Sequence, residues 1–284
     1  MTKFIDYLDA SWDSQRSLLC VGLDPDLEKL PVSLRTHKTP LFAFNREIID
    51  ATACRVCAFK PQIAYYAAIG AERQLELTIN YIKLNYPQIP VILDAKRGDI
   101  GATAKMYALE AFVRYQADAV TVNPYMGGDT LTPFLEYEEK GVIILCRTSN
   151  PGSGDIQQLV DQSVSVAHHV AIQAASQWNV NGNVGLVVGA TWPREIGEIR
   201  KLVGDMPLLI PGVGAQGGDL DAVLANGLTA RGTGLLVNVS RAIIYAGAGG
   251  RDFTAAVATA AESLYRQINQ YRKVSQPGGS LSQL

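Results

Sequence analysis

Histidine is nearly missing from this 284-residue chain, with three residues in all and two of them adjacent at His168 and His169. Adjacent helical residues point to different faces, so a histidine-based triad or metal centre has little to build on, and the pair reads as part of a solvated helix face. Cysteine is also sparse. Four residues are too few for a disulfide framework, and Cys20 and Cys146 fall in apolar runs where a thiol packs as a small hydrophobe. Cys54 and Cys57 have the spacing of half a zinc or redox site, but no second cysteine pair or nearby histidine pair completes it. No run approaches the roughly 18 unbroken apolar residues of a membrane span. Nor does the segment from Met1 to Ala10 carry a signal-type apolar core. These absences predict a cytoplasmic protein without membrane association.

An excess of either charge is lacking too. Lys and Arg number 25 against 27 Asp and Glu, so no global field draws the chain to nucleic acid, and an anionic ligand must be held by a local site. Apolar material is plentiful. Hydrophobic residues make up 48% and charged residues 18%, enough for one large core in a chain of barrel length.

Short apolar, β-branched runs recur at Leu18 to Leu23, Cys57 to Lys60, Val91 to Leu93, Ala119 to Val122, Val142 to Cys146, Val184 to Val188, Leu208 to Ile210 and Gly234 to Val237. Helical patterns lie between them at Phe42 to Thr52, Glu72 to Asn85, Thr103 to Tyr115, Val164 to Gln177, Arg194 to Val203 and Asp219 to Asn226. Runs apolar throughout, alternating with helices, predict parallel strands buried on both faces. Strand counts alone leave an open doubly wound sheet as a rival. The polar residues after each strand favour closure, because a barrel brings them all to one mouth. The expected fold is α/β, a single-domain (β/α)8 TIM barrel over residues 1–274. A Ser-, Gly- and Pro-rich stretch at 275–284 is expected to be a flexible tail.

Asp94-Ala95-Lys96-Arg97-Gly98-Asp99 follows the run Val-Ile-Leu. If the strand persists through Lys96, alternation sends Asp94 and Lys96 to one face. Alone, Asp-x-Lys reads first as an ion pair closing a strand end. With Lys60 ending another strand and Asp99 a turn away, alternating acid and base in one mouth point instead to catalysis. Gly212 to Gly217 spells G-x-G-x-x-G, yet it follows the seventh strand rather than a first βα turn, so a phosphate cradle is the better reading than a dinucleotide site. Ser149, within Ser-Asn-Pro-Gly-Ser-Gly, reads equally as a turn residue. Thr103 reads equally as a residue near a helix N-terminus.

DAKRGDI resembles the Asp-x-Lys-x-x-Asp-Ile signature of the orotidine 5'-monophosphate decarboxylases, and GLDPD, AFKP, TSNPG, PGVGAQGGD and VSRAIIYA resemble that family's other motifs in the same order. The extra segments around 27–45 and 152–161 resemble its longer bacterial branch. The resemblance implies decarboxylation of orotidine 5'-monophosphate to uridine monophosphate, with no cofactor and no metal. It implies that Lys96, Asp94, Lys60 and Asp99 are catalytic, that Asp24 contacts the ribose and that Ser149 contacts the pyrimidine. Gln216 and Arg241 fall on the phosphate, and Pro211 and Thr103 join them as substrate-binding residues. A homodimer is also implied, with Asp99 reaching across the interface.

The chemistry is consistent with those residues. Loss of CO2 from C6 leaves an electron pair in the ring plane that the π system cannot delocalise, so a fixed cation must meet it, and Lys96 can do so and then protonate C6. Rival readings are a Mg2+-dependent sugar-phosphate lyase, for which no suitable strand-end glutamate is seen, a Schiff-base aldolase on Lys60 or Lys96, and a non-catalytic nucleotide sensor.

Overall fold

Eight parallel strands form one sheet in the computed structural model, which describes residues 2–214, 217–247 and 252–275. They are β1 (Leu19–Leu23), β2 (Ala58–Pro61), β3 (Ile92–Arg97), β4 (Ala119–Val122), β5 (Gly141–Arg147), β6 (Val184–Val188), β7 (Leu208–Pro211) and β8 (Leu235–Val239). The β1 strand pairs with both β2 and β8, and each of the others pairs with its neighbours in sequence. The ring closes between β2 and β3 through the bridges Phe59–Val91 and Gln62–Asp94. The chain is therefore a (β/α)8 barrel, not an open sheet. Strands β1, β4, β6 and β8 are buried along their whole length, as continuous apolar runs with helices outside and barrel core inside require.

The strand expectations hold to within a few residues; β3 and β5 run further toward the mouth than the apolar letters indicate. One helix expectation is corrected. Val164 and Ser165 pair with Val160 and Asp161 in an antiparallel hairpin, and the helix begins only at Val166. Ser165 is its N-cap, its hydroxyl accepting from His168 N, and a cap residue with β-region dihedrals ends the helical path there. The helix at Gly101–Leu109 continues as a π turn through Arg114, and the Phe253–Ser275 helix closes the chain after β8. Of the expected tail, Ser275 ends that helix and 276–284 lie outside the described residues.

The helix Phe4–Gln15 precedes β1 and covers the N-terminal end of the barrel. Phe4, Leu8 and Trp12 are buried four residues apart on one face. Ser11 Oγ donates to Cys57 O just before β2, and Tyr7 OH donates to Pro87 O before β3. The Phe4 ring lies on Gly141 at the start of β5, where a Cβ would overlap it. With this end plugged, the opposite mouth is the one left for chemistry. We predict that Gly141→Ala, which forces the ring aside, destabilises the fold by about 1–3 kcal/mol. Denaturant unfolding should register that loss while turnover by the folded variant stays unchanged.

Candidate active site

Adjacent strands set the centre of the mouth. Lys60, the third residue of β2, and Asp94, the third of β3, face each other across the closing seam, with Lys60 Nζ 2.8 Å from Asp94 Oδ2. Lys96 Nζ lies 2.6 Å from Asp94 Oδ1. One buried carboxylate thus holds two ammonium groups, Lys60 buried beneath it and Lys96 about half exposed above it.

Simple alternation does not place Lys96. Its backbone is left-handed (φ 48°), and the pairing of β3 with β4 shifts register between Leu93 and Arg97. A non-glycine residue held in this region costs on the order of 1–3 kcal/mol, so the bulge persists only because its surroundings enforce it. Thr121 of β4 is the enforcing group. Its hydroxyl accepts from Ala95 N (3.0 Å) and Lys96 N (2.9 Å) and donates to Asp94 Oδ1 (2.8 Å). The sequence reading missed Thr121; the available signal was a lone hydroxyl in the otherwise apolar run Ala-Val-Thr-Val.

Burial alone would raise the Asp94 carboxyl, but Lys60 and Lys96 outweigh it and hold it well below the ordinary carboxylate range. Burial alone would lower Lys60. Asp94 and then Asp24 reverse this and hold the ammonium above the ordinary lysine range. Cys20, in the barrel beneath them, is pushed up to about 12, chiefly by burial, and remains a thiol.

Around this centre the structure brings together most of the expected residues. Asp24 follows β1, and its Oδ1 is buried with no hydrogen-bond partner among the described residues. The Ser240 hydroxyl, just past β8, is buried and unpartnered in the same way, and it packs over Gly22, where a Cβ would stand 2.8 Å from Ser240 Cβ. Buried acceptors and hydroxyls left unpaired are costly, and ligand hydroxyls would satisfy them. Tyr245 ties these two strand ends. Its hydroxyl donates to Asp24 O (3.0 Å) and accepts from Asp26 N (2.7 Å), which locks the loop after β1 to the segment that begins at Arg241. Arg241 itself is exposed at the mouth end of β8. Pro211 ends β7, and Gln216 lies outside the described residues.

Ser149 follows β5. Its carbonyl accepts from Thr191 Oγ1 (3.1 Å), and its own hydroxyl makes no hydrogen bond among the described residues. Two expected residues are not brought to the centre within the chain. The Asp99 carboxylate accepts from Ile100 N (2.8 Å) and forms no ion pair with Lys96 among the described residues, and Thr103 is exposed on the Gly101–Leu109 helix.

Of the sites set aside on sequence, Cys54 is exposed and Cys57 buried, so the two thiols do not share an environment. His168 is not simply solvated: Nδ1 lies 2.7 Å from Ser165 Oγ, and Nε2 3.3 Å from Glu198 Oε2. This hydrogen-bonded helix cap lies outside the barrel.

Comparison with known proteins agrees with this geometry. Residues 17–254 match the model of the orotidine 5'-phosphate decarboxylase / HUMPS family. The chain is 58% identical over 272 residues to the orotidine 5'-phosphate decarboxylase of Cellvibrio japonicus, covering 95% of this chain and 99% of that one. It is 57% identical over 270 residues to that of Ralstonia nicotianae, with the same coverage. Among solved structures, it superposes on the OMP decarboxylase of Leishmania donovani with a TM-score of 0.83 at 40% identity, covering 95% of this chain and 99% of that one. It superposes on the UMP synthase of the same organism at 0.85 and 42%, covering 96% of this chain but spanning only 57% of that longer protein. The match takes in the whole barrel mouth with the Lys60–Asp94–Lys96 cluster, and the chain belongs to the orotidine 5'-phosphate decarboxylase family.

Proposed function

We propose that the Lys60–Asp94–Lys96 cluster carries the reaction of this enzyme, the decarboxylation of orotidine 5'-monophosphate to uridine 5'-monophosphate. The observation that carries this reading is one buried carboxylate fixing two ammonium groups at a barrel mouth, the upper one, Lys96, reaching toward solvent. Breaking the C6–carboxylate bond leaves its electron pair on C6, in the ring plane. The Lys96 ammonium stabilises that pair electrostatically and then gives it a proton, so that C6–H forms, CO2 departs and the neutral amine regains its proton from water. Asp94 keeps Lys96 in place, and Lys60 keeps Asp94 ionised. Lys60 held above its ordinary range is a poor amine nucleophile, which counts against a Schiff base.

Substrate contacts follow from the strand ends. The unpartnered Asp24 oxygen suits a ribose hydroxyl, and Ser149 faces the base with a free hydroxyl. Arg241, Pro211 and Gln216 belong to the phosphate side after β7 and β8, where barrels bind phosphate. Binding energy gathered there can orient the ring and close the loops over it.

Asp99 and Thr103 serve a second subunit in this reading. They border an apolar face carrying Ile100, Met106, Leu109 and Val113, all exposed, beside a groove of about 450 Å3. A twofold contact on this face gives a homodimer in which Asp99 of the partner subunit completes each site. No described helix is long and apolar enough to cross a membrane. The four free thiols accord with a reducing, cytoplasmic compartment.

Four tests follow. Purified protein should remove orotidine 5'-monophosphate absorbance equally with and without EDTA. Lys96→Ala should lower kcat by at least about 1,000-fold with uridine monophosphate binding largely intact; near-native turnover would refute the mechanism. Mixed dimers test the shared site: Lys96→Ala and Asp99→Ala chains, each inactive alone, should recover about a quarter of native activity when recombined, since half the dimers then hold one intact site. No recovery would contradict the exchange of Asp99. The fourth test is stability against pH. A depressed carboxyl contributes stability above the ordinary carboxylate pKa of about 4 and loses it as pH falls through its folded value. Unfolding of the native protein and Asp94→Asn should therefore differ by a constant margin between about pH 5 and 7, narrowing below about pH 4.

A further inference from the structure

Arg147, the last residue of β5, is wholly buried, and the catalytic account makes no use of it. Its Nε donates to Glu195 Oε2 (2.8 Å) on the helix after β6. Its guanidinium carbon lies 4.0 Å from the centre of the Trp192 ring. Nη1 reaches Ser153 Oγ and, at 3.4 Å, Gln157 Oε1, both in the loop after β5. Nη2 is buried without a partner among the described residues.

As a stabilising device this is a poor bargain: a buried guanidinium with one carboxylate and one unmet donor recovers little of its desolvation cost. What it achieves is position. A planar fork joins the β5 end, the loop after it and the helix after β6, as a lysine point charge cannot.

The groups it holds in turn hold Thr148, the next residue, and so the start of the segment that carries Ser149. Gln157 Oε1 accepts from Thr148 N (2.8 Å), and its Nε2 donates to Thr148 Oγ1 (2.9 Å). Trp192, stacked on the guanidinium, donates from Nε1 to Thr148 O (2.9 Å). Ser149 is fixed by Thr191 and lies so close to Gly189 that a Cβ there would stand 2.6 Å from Ser149 Cα. Both backbone polar groups of Thr148 and the carbonyl of Ser149 are thereby anchored, while the Ser149 hydroxyl is left free.

We infer that Arg147 is a positioning residue for base recognition: through Gln157 and Trp192 it sets where the Ser149 hydroxyl meets the pyrimidine edge. This rests on the proposed contact between Ser149 and the base. A ligand with the base should feel the clamp, and one without it should not.

The test compares the affinities of uridine monophosphate and ribose 5-phosphate for the native protein, Arg147→Lys, Trp192→Phe and Ser149→Ala, each checked for folding by thermal melting. Ser149→Ala should weaken uridine monophosphate by about tenfold, the worth of one hydrogen bond, with ribose 5-phosphate nearly unchanged. Arg147→Lys should do the same, with a raised KM for orotidine 5'-monophosphate. Should Arg147→Lys fail to fold, Trp192→Phe keeps an aromatic ring beside the guanidinium, removes the indole N–H that bonds Thr148 O, and should lower the same affinity ratio by about threefold. If Ser149→Ala lowers the ratio while the folded clamp variants leave it unchanged, or weaken both ligands equally, the inference is overturned alone. If Ser149→Ala leaves the ratio unchanged, the base contact itself fails and the inference with it.

Discussion

A carboxylate sunk into the mouth of a barrel loses several kcal/mol of hydration and stays charged only if cations replace the water. Asp94 is met on one oxygen by Lys60 and on the other by Lys96, with Thr121 donating a hydrogen bond to the second. Lys60 lies on β2 and Asp94 on β3, strands whose backbones pair through two isolated bridges where the ring closes. The ion pair therefore crosses the seam at which the sheet closes. Removing Asp94 leaves the buried Lys60 ammonium without a salt-bridge partner among the described residues, so the closing seam and the proposed catalytic charge pattern share one contact.

Lys96 is the group this arrangement serves. Its left-handed backbone and the bulge beside it are strained features, and the Thr121 hydroxyl bonded to two successive amides holds them in place. In the proposed mechanism the ammonium is thereby fixed before substrate arrives, and fixed charge spends no reorganisation energy when the carbanion develops. The periphery follows the same pattern, with Tyr245 and Arg147 anchoring backbone so that Asp24 and Ser149 keep polar atoms free for a ligand.

The barrel was legible in the sequence because continuous apolar runs between helical segments leave few other architectures, and the charged centre because Asp94, Lys96 and Lys60 all stand at strand ends. Alternation put Asp94 and Lys96 together for a reason that does not operate here: the bulge at Lys96 breaks the alternation, and the two meet through side-chain reach. Thr121, Tyr245 and Arg147 escaped notice because each acts through contacts distant in the chain, such as 219 residues from Tyr245 to Asp26. The hairpin before Val166 escaped for a local reason, its valines fitting a helical pattern as readily as a strand.

The central claim is that a fixed ammonium at Lys96 stabilises an in-plane carbanion at C6 and exchanges a proton with it. Run backwards, the final step passes the C6 proton of uridine monophosphate to the neutral Lys96 amine, leaving the carbanion beside the ammonium so formed. The most direct measurement is deuterium entry at C6 of uridine monophosphate held on the protein in heavy water, followed by proton NMR. The account predicts exchange catalysed by the native protein and lost in Lys96→Met with the nucleotide still bound; exchange that survives the loss of Lys96 would contradict it.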